Sequence, residues 1–307
     1  MQEKHRYTLE PYKGMNTRYR CPNCNKKGVF TKYIDTETSK HLNDAVGYCN
    51  RIVKCAYHYT PKDYFQDNNV LFDTTNLVTC VKSQPKPKPN TSFIDVEVMR
   101  KSIDIKGTNY FIDYLANLWD YEVAFYLAQR YNIGASKHWH GATVFWQVDQ
   151  NNKVRTGKIM LYNPENGKRI KKPFNHINWA HSVLKLDNFN LDQCYFGTHL
   201  LNEDTAKPVA IVESEKTAVI ASVYLPEFIW LACGSVNNLN KEKTKVLEGR
   251  DVVLFPDLNC YELWNNKIPK LTKSATFITS TLLRDKASKA EKRQGLDIAD
   301  FLVKIKT

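Results

Sequence analysis

The apolar positions of this chain change period along its length. In "TNYFIDYLANLWDYEVAFYLAQRYNIG", Phe111, Tyr114, Leu115 and Leu118 fall at helical spacing. Asp120 stands where it would cap a second helix carrying Val123, Ala124 and Leu127, and Gly134 suits a helix end. From 141 to 200 the pattern becomes strand-like: "ATVFWQVD" and "GKIMLYN" flank the polar turn "QNNKVR", as in a hairpin. From 208 onward strands alternate with helices. "PVAIVES", "FIWLACG", "DVVLFPD" and "ATFITS" read as strands. "EKTAVIASVYL", "NKEKTKVLE", "CYELWNNKI" and the segment near "DIADFLVKI" read as helices. That alternation predicts an α/β fold with a mostly parallel sheet covered by helices.

Composition adds partners and boundaries. The chain has 307 residues, 42% hydrophobic and 25% charged, which predicts globular folding in two or more domains. No apolar run approaches the length of a membrane span, and "MQEKHRYTLEPYKG" has no signal-peptide core, so a cytoplasmic protein is expected. The formal net charge is +12, which points to nucleic acid as partner. "KSQPKPKPNTS" alternates Pro with Lys and reads as a semi-rigid linker. The expected layout is a cysteine module over 1–80, a linker over 81–92, a helical segment over 93–140, a β-rich subdomain over 141–205 and the α/β domain over 206–307.

Four of the eight cysteines fall between positions 21 and 55. "CPNC" places Cys21 and Cys24 on one tight knuckle, and a second pair must close a tetrahedron around the ion. Cys49 and Cys55 are the candidates, with His58 as substitute for either, so a structural Zn2+ is expected. "VFTKYIDTETSKHL" between the knuckles alternates like two strands joined by a polar turn. Lys26, Lys27, Lys32, Tyr33, Arg51 and Tyr57 could meet a nucleic-acid strand by charge and stacking.

Open parallel sheets bind ligands beyond the carboxyl ends of their strands. Glu213 follows "PVAIV" and Asp257 follows "VVLFP"; Asp297 and Asp300 stand in "GLDIADFL", while Glu215 and Lys216 open the helix after Glu213. Carboxylates converging on one edge repel unless a divalent cation sits among them, and Mg2+ is the usual choice. Taken singly, Asp297 reads as a helix N-cap and Glu215 as a partner of the helix dipole.

The segments "VAIVESEKTAVIAS", "VVLFPDLN" and "GLDIADFL" resemble the Toprim domain of DnaG-type bacterial primases and of primases carried by phages and mobile elements. The order of parts is similar too: a zinc ribbon first, then a primase-core-like α+β region in "FWQVDQNNKVRTGKIMLYNPENGKRIKKPFNHINWAHS", then the Toprim-like domain. The chain also resembles Toprim-containing proteins with a DUF6371 region in Bacteroidetes genomes and their mobile elements. The resemblance implies catalytic Glu213, Asp257 and Asp297, with Mg2+ held by Glu213, Asp257, Asp297 and position 259. There Asn259 replaces the family's second acid, and Ser214 replaces a glycine. Arg155, Lys158, Arg169, Lys171, Lys172 and Lys216 would line a template or nucleotide path. The implied activity is RNA primer synthesis on single-stranded DNA from ribonucleotides, beside a replicative helicase. The alternatives are a catalytically decayed nucleic-acid-binding module of a mobile element and a Toprim nuclease.

Overall fold

The computed structural model describes residues 6–52, 54–68, 90–103 and 107–306. It separates into two units, residues 1–88 and 89–307. The expected linker over 81–92 lies outside the described residues except for 90–92.

The N-terminal unit is an antiparallel sheet in the order β1 (Tyr7–Leu9), β2 (Phe30–Asp35), β3 (Gly47–Cys49), β4 (His58–Tyr59). The expected second strand after the 36–39 turn shrinks to one bridge, Ile34 to His41. Helix α1 (Pro61–Asp67) starts at a capping box: Thr60 accepts from the Asp63 amide while Asp63 accepts from the Thr60 amide. The apolar cluster here is small, with Cys21, Phe30 and Cys49 as its buried members. So little apolar burial is weak support for a module of this size.

The C-terminal unit opens with α2 (Val96–Ile103), α3 (Tyr110–Leu118) and α4 (Tyr121–Arg130). Asp120 caps α4 by accepting from the Val123 amide at 2.8 Å, as its spacing predicts. Gly134 does not end that helix. The turn is made by Asn132 at φ 51°, and Gly134 lies inside β5 (Ile133–Ser136). A Cβ at Gly134 would sit 2.1 Å from the Ser102 hydroxyl, so close packing of α2 on β5 requires the glycine.

Strands β5, β6 (Ala142–Val148), β7 (Val154–Met160) and β8 (Ile177–Trp179) form an antiparallel sheet in chain order, and the short α5 (Ala180–Val183) follows. Every residue of β6 is buried, because both faces of the sheet are covered. Phe145 and Met160 join one core with α3 and α4, while Val144, Trp146 and Ile159 face a second core with Ile94 and Met99.

The last part is the expected parallel sheet, in the order β10 (Ile229–Ala232), β9 (Val209–Val212), β11 (Asp251–Leu254), β12 (Thr276–Thr279). Its helices are α6 (Glu215–Tyr224), α7 (Lys241–Thr244), α8 (Tyr261–Asn265), α9 (Leu282–Lys286), α10 (Lys289–Gln294) and α11 (Ile298–Leu302). Strands β9 and β10 are buried along their whole length, as near-continuous apolar runs in a covered parallel sheet must be. Helix α6 buries Thr217 through Ala221 without a polar stripe, because it lies between the sheet and α11. Among the described residues, no helix is long and apolar enough to cross a membrane.

Candidate functional site

The four cysteine sulfurs of Cys21, Cys24, Cys49 and Cys55 all lie within 4.8 Å of one another. Cys21 to Cys55 is 3.7 Å and Cys24 to Cys49 is 3.9 Å. A disulfide would need about 2.05 Å. A tetrahedron with Zn–S of about 2.3 Å has edges of about 3.8 Å. The donor set therefore fits a closed structural zinc site.

Three of the thiols are met by the backbone amide two residues further on, the knuckle geometry that favours thiolate. The Lys26 amide is the main reason the Cys24 thiol falls to about 6. At Cys55 burial pushes upward, and the Tyr57 amide and the Asn23 side chain outweigh it. At Cys49 burial wins over the Arg51 amide and raises the thiol to about 12, a cost that a bound cation offsets. The longer spacing of the second pair is absorbed by the 51–56 turn, where the Cys55 amide donates to the Arg51 carbonyl at 2.8 Å and Ala56 turns at φ 52°. His58 is not a ligand. It is exposed on β4, hydrogen-bonded to the Tyr33 hydroxyl at 3.0 Å and edge-on to Tyr48. Lys32 is held by Asp44 and lies over Tyr19, and the Tyr57 hydroxyl donates to the Ala45 carbonyl, so these two are parts of the ribbon itself.

The second cluster lies at the carboxyl edge of the parallel sheet. Strands β9 and β11 pair with Ile211 beside Leu254, so Glu213 and Asp257 emerge at the same edge. The Leu258 amide donates to the Leu296 carbonyl at 2.9 Å, which draws Asp257 towards Asp297. Burial first, and then the charges of Asp297, Glu213 and Asp300, push the Asp257 carboxyl up to about 8, while Lys216 pulls it down. Glu213 is raised mainly by burial, against the pull of Lys158 and Arg169.

Asp297 is the N-cap of α11. It accepts from the Asp300 amide at 3.1 Å and from the Thr217 hydroxyl at 2.6 Å, which ties α11 to α6. The cap reading of this residue is thus realised, and its charge is still felt at Asp257. Among the described residues, the cysteines are the one set of three or more metal-binding side chains with all ligand atoms within 4.8 Å; the acids stand farther apart. That spacing suits Mg2+, which keeps several waters and takes only one or two carboxylates.

Asn259 has a structural task in its turn. It occupies the third place of the 257–260 turn at φ 71°, where Asn is tolerated and most residues are strained. Its side-chain amide donates to the Lys292 carbonyl. Ser214 has φ −97°, so the backbone before α6 does not need the family's glycine.

The six expected nucleic-acid contacts divide. Arg155 is held by Asp149 at 2.7 Å and Asp192 at 2.8 Å. Lys158 is held by Glu215 at 3.0 Å, a pair of side chains only 12% and 3% exposed. Lys216 faces Asp300 at 3.9 Å and serves the acids as counter-charge. Arg169, Lys171 and Lys172 are exposed, and none pairs with a carboxylate of the described residues. Gly167, at φ 62° and packed against the Tyr114 ring, closes the turn that presents Arg169. Sequence reasoning missed the Lys158–Glu215 pair, whose partners are 57 residues apart. It also missed the aromatic neighbours Trp139 and Phe174, although "KRIKKPFNH" interleaves an aromatic ring with the basic residues.

Residues 109–258 match the family model described as Domain of unknown function (DUF6371). Residues 5–70 match a zinc beta-ribbon finger model. The chain thus carries an N-terminal zinc ribbon followed by a region similar to the DUF6371 model. No curated protein matches it. Among solved structures, the RNA polymerase domain of Mycobacterium tuberculosis primase DnaG is similar at 11% identity and a TM-score of 0.41, over 68% of this chain and 84% of that one. The primase fragment of the bacteriophage T7 primase-helicase protein is similar at 13% and 0.35, over 85% and 88%. The zinc-binding and RNA polymerase domains of Aquifex aeolicus primase are similar at 11% and 0.33, over 97% and 80%. Likeness at this level carries no weight for function, which rests on the residues.

Proposed function

We propose that the chain is a primase-like protein that binds single-stranded DNA and joins nucleotides at the carboxyl edge of its parallel sheet. The observation that carries the reading is the convergence of Glu213 and Asp257 at one strand edge, with Asp297 drawn beside them by the Leu258–Leu296 hydrogen bond; burial and these charges push Asp257 up to about 8. Such crowding is costly in a protein without a cation and useful in one that handles phosphates.

The residues fit Mg2+ through Glu213 and Asp257, with waters and substrate phosphates completing the shell. When bound, the ion would neutralise charge developing on the transferred phosphoryl group. The chain's own groups position the reactants. Arg169, whose charge is felt at Glu213, offers a contact for a phosphate. Glu213, as a ligand of the ion, would be a weak base, so the proton of the attacking hydroxyl passes to solvent water. In that step the hydroxyl oxygen bonds to the α-phosphorus of a nucleoside triphosphate, the α–β bridging bond breaks, and pyrophosphate leaves. Lys158 neutralises the buried Glu215, and Asp297 fixes α11 so that Asp257 keeps its place.

The test is incorporation of labelled nucleotides on single-stranded DNA with and without magnesium. Wild type should incorporate only with the metal, and Glu213→Gln should lose at least about 100-fold. Equal incorporation by Glu213→Gln would sink the catalytic reading. One feature favours a second reading, a binding module without catalysis: Asp297 and Asn259 are both engaged in structural hydrogen bonds. Magnesium-independent DNA binding with no incorporation would select it.

A further inference from the structure

Beside the exposed basic residues lies a group of aromatic rings that the acidic edge does not use. Phe174 is 54% exposed, so its ring is open to a partner. Its ring centroid lies 4.3 Å from that of His176 and 6.4 Å from that of Trp139. Trp139 is 5.1 Å from His176, edge to face, and 4.3 Å from His138. The shelf is anchored: Trp139 and Ile170 pack on the core under the antiparallel sheet, and His176 Nδ1 is bonded to the Ile170 carbonyl at 3.1 Å. Asn178 holds His138 at 3.0 Å.

Charge surrounds it. Lys137, Lys168, Arg169, Lys171 and Lys172 are exposed and in no ion pair with a described residue; Glu165 is the one acid on the 163–168 turn. Phe174 lies five positions after Arg169, which is felt at Glu213, a reach of at most about 18 Å. A chain that passes from the acidic edge along Lys171 and Lys172 therefore arrives at the rings within a few nucleotides.

We infer that Trp139 and Phe174 form a stacking platform for the bases of single-stranded DNA, with Lys171 and Lys172 on its phosphates. The inference rests on the nucleic-acid reading above and adds the surface that performs it. Unpaired cations beside ring faces match a strand with free bases and a charged backbone. A duplex hides its base faces and would use only the cations.

The experiment is fluorescence anisotropy with a labelled oligothymidylate of about 12 nucleotides, within the usual range of single-strand site sizes. Phe174→Ala and Phe174→Leu should each weaken binding about tenfold, the loss of one stacked base. Phe174→Tyr, which keeps the ring, should restore it. Lys171→Ala should lower the slope of log K against log salt by about one, whereas Phe174→Ala should leave the slope unchanged. Duplex DNA should bind more weakly and be indifferent to Phe174→Ala. If wild type binds no single strand, the functional reading and this inference fall together. If wild type binds and the Phe174 variants match it, the platform alone is wrong. A Phe174 effect seen with RNA but not DNA overturns the assignment of the ligand.

Discussion

In the N-terminal unit four sulfurs face one another at separations such as 3.7 and 3.9 Å, around a core of three buried residues. At the carboxyl edge of the parallel sheet the carboxylates stand farther apart, but they rest on the large core that includes Trp230, Trp264 and Phe196. The contrast teaches what each set of ligands is for. Where apolar burial is scarce, the metal must supply folding energy, so the ligands close on it completely. Where burial is ample, the fold can hold repelling acids apart, leaving room for waters and substrate.

Zinc removal should break the comparison most visibly. A strong chelator, or Cys21→Ser with Cys49→Ser, should unfold residues 6–68, since zinc supplies about 10–16 kcal/mol in small modules. Hydrogen exchange should rise across that unit and stay unchanged over residues 107–306. Protection that survives in the ribbon would contradict a structural metal.

Next in size is the pH response of the acidic edge. The folded chain keeps a proton on Asp257 up to about 8, whereas the unfolded chain releases it near 4. More protons are bound in the folded state across that window, so this residue's contribution to stability falls as pH rises through it. Asp257→Asn should flatten the trend and raise the Tm at pH 8 by about 5 °C. A pH profile unchanged in the variant would remove the crowding from the account.

A smaller effect sharpens the role of Asn259. Asn259→Asp replaces the donor that meets the Lys292 carbonyl with an acceptor. The Tm should drop by about 2 °C, and magnesium affinity should stay within about twofold of wild type. A clear gain in magnesium affinity would return position 259 to the ligand set. The smallest effect is expected at Ala56, exposed at φ 52°. Ala56→Gly should stabilise the ribbon by about 1 kcal/mol, seen as a later midpoint in denaturant.

Much of this was legible in the residues. The alternation after 208 predicts a parallel sheet, and its four strands are present, because buried strands need apolar runs that no other pattern supplies. The cysteine spacing predicts the ligand set, because thiolates four-coordinate to one ion leave few alternatives. Gly134 misled because a glycine required by Ser102 across the packing interface looks the same in sequence as one ending a helix. Arg155 and Lys158 misled for a related reason: Asp192 and Glu215 are brought to them by tertiary contacts, while Asp149 meets Arg155 across the hairpin turn. Asn259 reads in sequence as a ligand with a lost charge, and its left-handed turn and the Lys292 carbonyl become visible only in the fold.

The central claim is that Glu213 and Asp257 make the sheet edge a magnesium site. It is tested most directly by the Tm at pH 8 as magnesium is added to the zinc-loaded protein, in wild type and in Asp257→Asn. The account predicts that magnesium raises the wild-type Tm, because the ion binds the folded carboxylates and displaces the retained proton. It predicts that Asp257→Asn starts higher and gains little from the metal. An equal response in both proteins, or none in wild type, would contradict it.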